Sequence, residues 1–98
     1  MAKYKYEFGE VEAGQFIPPY QIPRGVFNVY EMGSGTEDNP TWFTGEIVTT
    51  TSDVRQRVTA GEWVIEEPEH PNKFYIVLDE VFRRKYRQII SDSSLPQL

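Results

Sequence analysis

Apolar positions in the first part of the chain recur at every second residue. Tyr4-Lys5-Tyr6-Glu7-Phe8 alternates aromatic with charged side chains, the period of a half-buried strand. Gly9 and Gly14 bracket Glu10-Val11-Glu12-Ala13, which continues that strand through a bulge or a turn. Pro18, Pro19 and Pro23 each lack a ladder donor, so 17–23 is predicted as an extended crossing loop. Val26, Phe27, Val29 and Tyr30 predict a second strand over 25–32, followed by a polar, glycine-bearing loop over 33–40. Thr41-Trp42-Phe43 leads into Glu46-Ile47-Val48-Thr49-Thr50-Thr51, a run rich in β-branched residues, and Ser52-Asp53 turns it back into Val54-Arg55-Gln56-Arg57-Val58. Ala60-Gly61 turns the chain again into Glu62-Trp63-Val64-Ile65-Glu66, and an acidic connection over 67–72 leads to Lys73-Phe74-Tyr75-Ile76-Val77.

The period then changes. Leu78, Phe82, Tyr86 and Ile89 repeat at helical spacing. Asp79 is placed to cap the helix start, with Glu80 in its first turn. Arg83, Arg84, Lys85 and Arg87 lie toward its end, where cations complement the helix dipole. The pattern predicts an α+β fold: a small, mostly antiparallel sheet of five or six short strands packed on one C-terminal helix. One domain over 1–90 and a flexible tail over 91–98 account for the chain.

Composition narrows the chemistry. The 98 residues suffice for one core, and six Tyr, six Phe and two Trp supply much of its apolar area. No cysteine is present, which excludes disulfides, thiolate metal sites and cysteine nucleophiles. No apolar run is long enough for a membrane span and none follows the charged start, so a cytoplasmic protein is expected. The net charge of −5 is unevenly spread. Acids crowd 62–80, whereas Arg83, Arg84, Lys85 and Arg87 make the following segment basic.

Several short motifs resemble those of small, mostly phage-encoded proteins with a Pro-Gly-Asp-Tyr/Trp-Gly-like motif (PGDYG-type). They are Ala60-Gly61-Glu62-Trp63-Val64-Ile65, then Phe74-Tyr75, then Glu80-Val81-Phe82-Arg83-Arg84-Lys85-Tyr86. Upstream, Glu12-Ala13-Gly14-Gln15-Phe16 and Pro40-Thr41-Trp42-Phe43 are similar to two earlier elements of that family, in the same order. Ala60 and Glu62 stand where the family has proline and aspartate. The resemblance implies phage or prophage origin, hence the cytoplasm of a host cell, and a single domain. It implies no activity and no catalytic residue.

Candidate chemistry is sparse. Alternation places Trp63 beside Ile65 on one face, so the tryptophan is expected in the core rather than stacked on a ligand. His70 is the sole histidine, set between prolines in an acidic loop, and no second element supplies converging ligands, so no metal or cofactor is expected. Gly33-Ser34-Gly35 lacks the lysine of a phosphate-binding loop. No nucleophile sits in a strand–turn–helix elbow, and an enzyme is not expected. What remains is surface charge. Glu66, Glu67 and Glu69, and secondly Arg83, Arg84 and Arg87, are the expected partner-binding residues. The overall acidity opposes nucleic-acid binding, so the expected partner is a host or phage protein that this domain inhibits or modulates. A small-ligand or nucleotide-binding domain with an aromatic-rich sheet and a virion or assembly component are the alternatives.

Overall fold

Two hairpins far apart in sequence build the main sheet of the computed structural model, which describes residues 1–6, 9–49 and 54–88. The first joins β1 (Ala2–Tyr6) to β2 (Gly9–Gln15), with Tyr6 paired to Gly9 and Tyr4 to Val11. The second joins β6 (Trp63–Glu66) to β7 (Phe74–Val77). β2 pairs antiparallel with β6, and the sheet runs β7-β6-β2-β1-β8, its last strand being β8 (Arg87–Gln88). A second sheet contains β3 (Phe27–Met32), β4 (Trp42–Val48) and β5 (Arg55–Thr59) in that order. The fold is therefore mostly antiparallel β with one short helix, α1 (Asp79–Lys85).

The described residues form eight strands in two sheets, more than the five or six expected in one. Two local effects add strands, one near each end of the chain, and a third joins two predicted runs into one. Tyr4–Val11 pairing makes the alternating start a hairpin rather than one strand, because both runs place their apolar side chains on the same face. Thr44 and Gly45 continue β4 without a break. A Cβ at Gly45 would lie 2.7 Å from Val26 Cγ1, so glycine there lets Val26 pack closely on β4. Finally, the helix ends four residues short of Ile89. Tyr86 is extended (φ −119°, ψ 146°), and Arg87 and Gln88 pair with Lys5 and Tyr4 at the edge of β1. Ile89, the Ser52-Asp53 turn, the end of the first alternating run at Glu7 and Phe8, and the tail over 91–98 lie outside the described residues.

Strand β6 shows why the apolar run is continuous there. Trp63 and Ile65 face α1, packing with Val11, Ala13, Phe82 and Tyr86. Val64 faces the other way, into Phe16, Ile47, Val58 and Phe74. β7 divides in the same manner, with Tyr75 and Val77 on the helix side and Phe74 and Ile76 on the other. Both faces of these strands are covered, so their sequences need no polar alternation. Each fully buried large side chain contributes about 1.5–3 kcal/mol by leaving water.

Aromatic rings tie the helix down. Trp63 stacks on Phe82 (centroids 3.8 Å, 5°), Phe82 on Tyr86 (4.5 Å, 6°), and Tyr86 on Tyr6 (4.9 Å, 16°). Tyr4 meets both Trp63 and Phe82 edge-on. The tryptophan is half-buried and packs in this column, on the same face as Ile65, the face that its alternation predicted. Asp79 is not the cap expected of it. Leu78 occupies the cap position without a side-chain bond, and the Asp79 carboxylate accepts from Trp63 Nε1 (2.9 Å), Gln15 Nε2 (3.2 Å) and Arg83 Nε (2.9 Å). A carboxylate facing three donors of the sheet and helix is better satisfied there than on free backbone amides.

Truncating the middle ring of the column tests this packing. Phe82→Ala should lower stability by about 3–5 kcal/mol in urea denaturation, whereas Arg84→Ala, on the exposed side, should stay within about 0.5 kcal/mol of the parent. An unchanged midpoint for Phe82→Ala would take the ring out of the core.

Candidate partner-binding cleft

The two hairpins of the main sheet part company where their tips begin. β2 and β6 are in register from Gln15↔Trp63 to Ala13↔Ile65, and there the ladder stops. Continued, the same register would set Glu12 directly against Glu66, a like-charge pair, and then Glu10 against Pro68, which has no amide hydrogen. Both steps disfavour pairing, so the sheet forks.

The hairpin tip beyond β6 is held elsewhere. Glu66 forms an ion pair with Arg24 (2.5 Å) and accepts the Asn72 amide (3.1 Å), while Arg24 also donates to Asn72 Oδ1 (2.8 Å). The guanidinium lies 5.8 Å over the Phe74 ring. Gly25, at φ +96°, makes this possible, because a side chain there would collide with that ring. Glu67 N–H donates to Lys73 O (2.9 Å), and two further backbone bonds, His70 N–H to Glu67 O and Lys73 N–H to His70 O, close the loop. The long acidic connection thus has a folding role that its sequence did not reveal.

The fork opens a cavity on each face of the sheet. One, of about 280 Å³, is bounded by Lys3, Glu12, Glu66 and Pro71. The other, of about 560 Å³, has Tyr6, Tyr75 and Tyr86 as its aromatic wall and Glu69 at its rim. Glu10, Val11, Glu67 and Pro68 line both and form the walls of the fork. Tyr75 and Tyr86 hydroxyls stand 3.5 Å apart, and burial pushes the Tyr75 hydroxyl above the ordinary tyrosine range. At neutral pH it is a neutral donor beside carboxylates. An aromatic wall edged by carboxylates is an environment that favours a cation and disfavours an anion.

The six residues expected from sequence separate into three groups. Glu67 and Glu69 line the cleft. Glu66 also lines it, but its carboxylate is committed to Arg24 and Asn72, which hold it below the usual carboxylate range. Arg83, Arg84 and Arg87 line neither cavity. Arg83 pairs with Asp79, Arg84 Nε donates to Glu80 O (3.4 Å), and Arg87 Nη1 donates to Arg83 O (3.3 Å) and Tyr86 O (3.1 Å). Glu10, Glu12 and the tyrosines were missed because their place beside the 67–71 segment depends on β2–β6 pairing across the length of the chain. His70 is exposed on that loop, and among the described residues no three metal-type side chains converge.

A second surface is the outer face of the β3-β4-β5 sheet. Tyr30, Met32 and Trp42 share it, 56%, 40% and 43% exposed, with Arg55 and Arg57 on the neighbouring strand. A cavity of about 400 Å³ lies among Tyr30, Met32, Arg55 and Arg57. No family model matches the chain, and neither a curated protein nor a solved structure shows significant similarity to it. Among the described residues no helix is long and apolar enough to cross a membrane.

Acid should loosen the contacts that frame the cleft. The Glu66 carboxyl is held low by its hydrogen bond to Arg24, and the Asp79 carboxyl by its bonds to Trp63 and Arg83. A carboxyl that binds its proton less readily when folded stabilises the fold fully above its ordinary pKa, near about 4, and loses that contribution as pH falls through the lower folded value. The melting temperature should therefore begin to fall near about pH 4, and Asp79→Asn should make the fall shallower. An Asp79→Asn acid limb as steep as the parent's would remove Asp79 from this linkage.

Proposed function

We propose that the protein is a non-enzymatic binding domain whose fork takes a cationic segment of a partner protein. The observation that carries this reading is the cleft itself. Glu67 and Glu69 edge an opening whose wall is Tyr6, Tyr75 and Tyr86, and Glu10 stands at the fork where the two cavities meet. Arginine and lysine side chains combine a charge for the carboxylates with a stem or guanidinium plane for the rings. The anchored loop presents Glu67 and Glu69 already ordered, which lowers the entropy lost on binding. The resemblance to small phage-encoded proteins makes a host protein the expected partner, modulated by occupation of its basic segment.

A short oligoarginine peptide titrated into the protein should shift the backbone amides of Gly9, Glu10 and Val11 more than those of β3–β5. The shifts should vanish at about 1 M salt, where the screening length falls to about 3 Å. The double variant Glu67→Lys/Glu69→Lys should lose them while its stability stays within about 1 kcal/mol. Shifts spread over the whole molecule, or retained in the double variant, would overturn the assignment.

A second reading rests on the outer face of the β3-β4-β5 sheet, where a base would stack on Tyr30 or Trp42. Arg57 has no ion pair or hydrogen bond among the described residues and would meet a phosphate. A mononucleotide that moved only the β3–β5 amides would favour this second reading.

A further inference from the structure

The two cavities lie on opposite faces of one sheet and meet only at the fork. The faces follow from alternation. Tyr6, Val11, Ile65 and Tyr75 belong to the helix side, whereas Lys3 on β1, Glu12 on β2 and Glu66 on β6 take the opposite face. Backbone direction at the fork is fixed as well. Glu67 N–H donates to Lys73 O, so the backbone groups of Ile65 and Glu67 turn toward β7 and those of Val64 and Glu66 toward β2. Across the ladder Gly14 is the partner of Val64, and the next residues of β2 with the same orientation are Glu12 and Glu10. Glu10 lies beyond the last paired position, so its amide and carbonyl point into the fork, where no strand among the described residues receives them.

An extended chain entering the fork can pair with that edge, and its consecutive side chains then point to opposite faces. We infer that, granted the cationic-segment reading above, the fork recognises an extended segment with two adjacent basic residues, one side chain entering each cavity. On the helix side the cation meets the faces of the tyrosines, with Glu67 and Glu69 at the rim, a setting that suits the flat guanidinium of arginine. On the other side it meets Glu10 and Glu12. Lys3 sits directly across from Glu12 in the β1–β2 register and offsets part of that charge. Residues spaced by two would send both cations to the same face and leave one cavity empty.

Two labelled peptides of identical composition separate these geometries: Gly-Ser-Val-Arg-Arg-Val-Ser-Gly and Gly-Ser-Arg-Val-Arg-Val-Ser-Gly. Fluorescence anisotropy with the intact protein should show the adjacent pair binding at least about tenfold tighter. Glu12→Gln and Glu69→Gln, which line opposite cavities, should each weaken that peptide about threefold. Equal affinity for the two peptides, or sensitivity to only one of the substitutions, would overturn the two-faced geometry and leave the cationic-segment reading standing. Absence of binding by either peptide would overturn both. Displacement of the peptide by an equal concentration of spermine would assign the cleft to a small polyamine instead.

Discussion

Among the described residues, strand β6 is the one element with fully buried side chains in both cores. Trp63 and Ile65 close the aromatic and aliphatic layer beneath α1, and Val64 between them closes the layer against the second sheet. Successive residues of one strand therefore serve separate cores, and a shift of one position in the β6 register would turn every one of these side chains to the wrong layer. The pairing of β6 with β2 on one side and β7 on the other prevents such a slip. The position of α1 follows from it, since the helix rests on Trp63 through Phe82 and through the Asp79 carboxylate.

The same strand determines where pairing must stop. Glu66 is the last residue of β6, and its carboxylate is drawn to Arg24, on the turn that carries Gly25 beneath Phe74. With Glu66 committed there and Pro68 next to the fork, β2 continues alone toward its hairpin tip. The cleft is thus a by-product of satisfying charges, and its acidity comes from carboxylates that the ladder could not accommodate. Its aromatic wall has a different origin. Tyr6 and Tyr86 stand at the far end of the ring column that anchors the helix, so the packing of the core and the wall of the cleft share side chains.

Much of the architecture was legible in local pattern. Period-two alternation identified the start of the chain, continuous apolar runs identified β6 and β7, and the change to helical spacing identified α1 and its buried Phe82. Local pattern failed where a long-range contact outweighed it. Asp79 has the position of a cap but binds Trp63 and Gln15, partners remote in sequence. Arg87 continues a helical period yet joins the edge of β1. The site divided along the same line. Glu67 and Glu69 stood out because they crowd one loop, whereas Glu10 and Glu12 looked like the solvent face of an ordinary strand. Only the β2–β6 register shows that all four border the same fork, Glu12 on one face and Glu69 on the other. Glu66, indistinguishable from its neighbours by composition, is set apart by Arg24 and the Asn72 amide.

The short strand β8 has a further consequence, for the outer rim of the sheet. Without it, β1 would present an unbroken row of amides and carbonyls that another chain could extend. Arg87 and Gln88 cover that row at Lys5 and Tyr4 and place two cations, Lys5 and Arg87, directly opposite each other. Like charges across a ladder weaken the pair itself, yet they also repel an incoming strand of the same kind. The rim of β1 accepts a little local instability and in return becomes a poor template for aggregation.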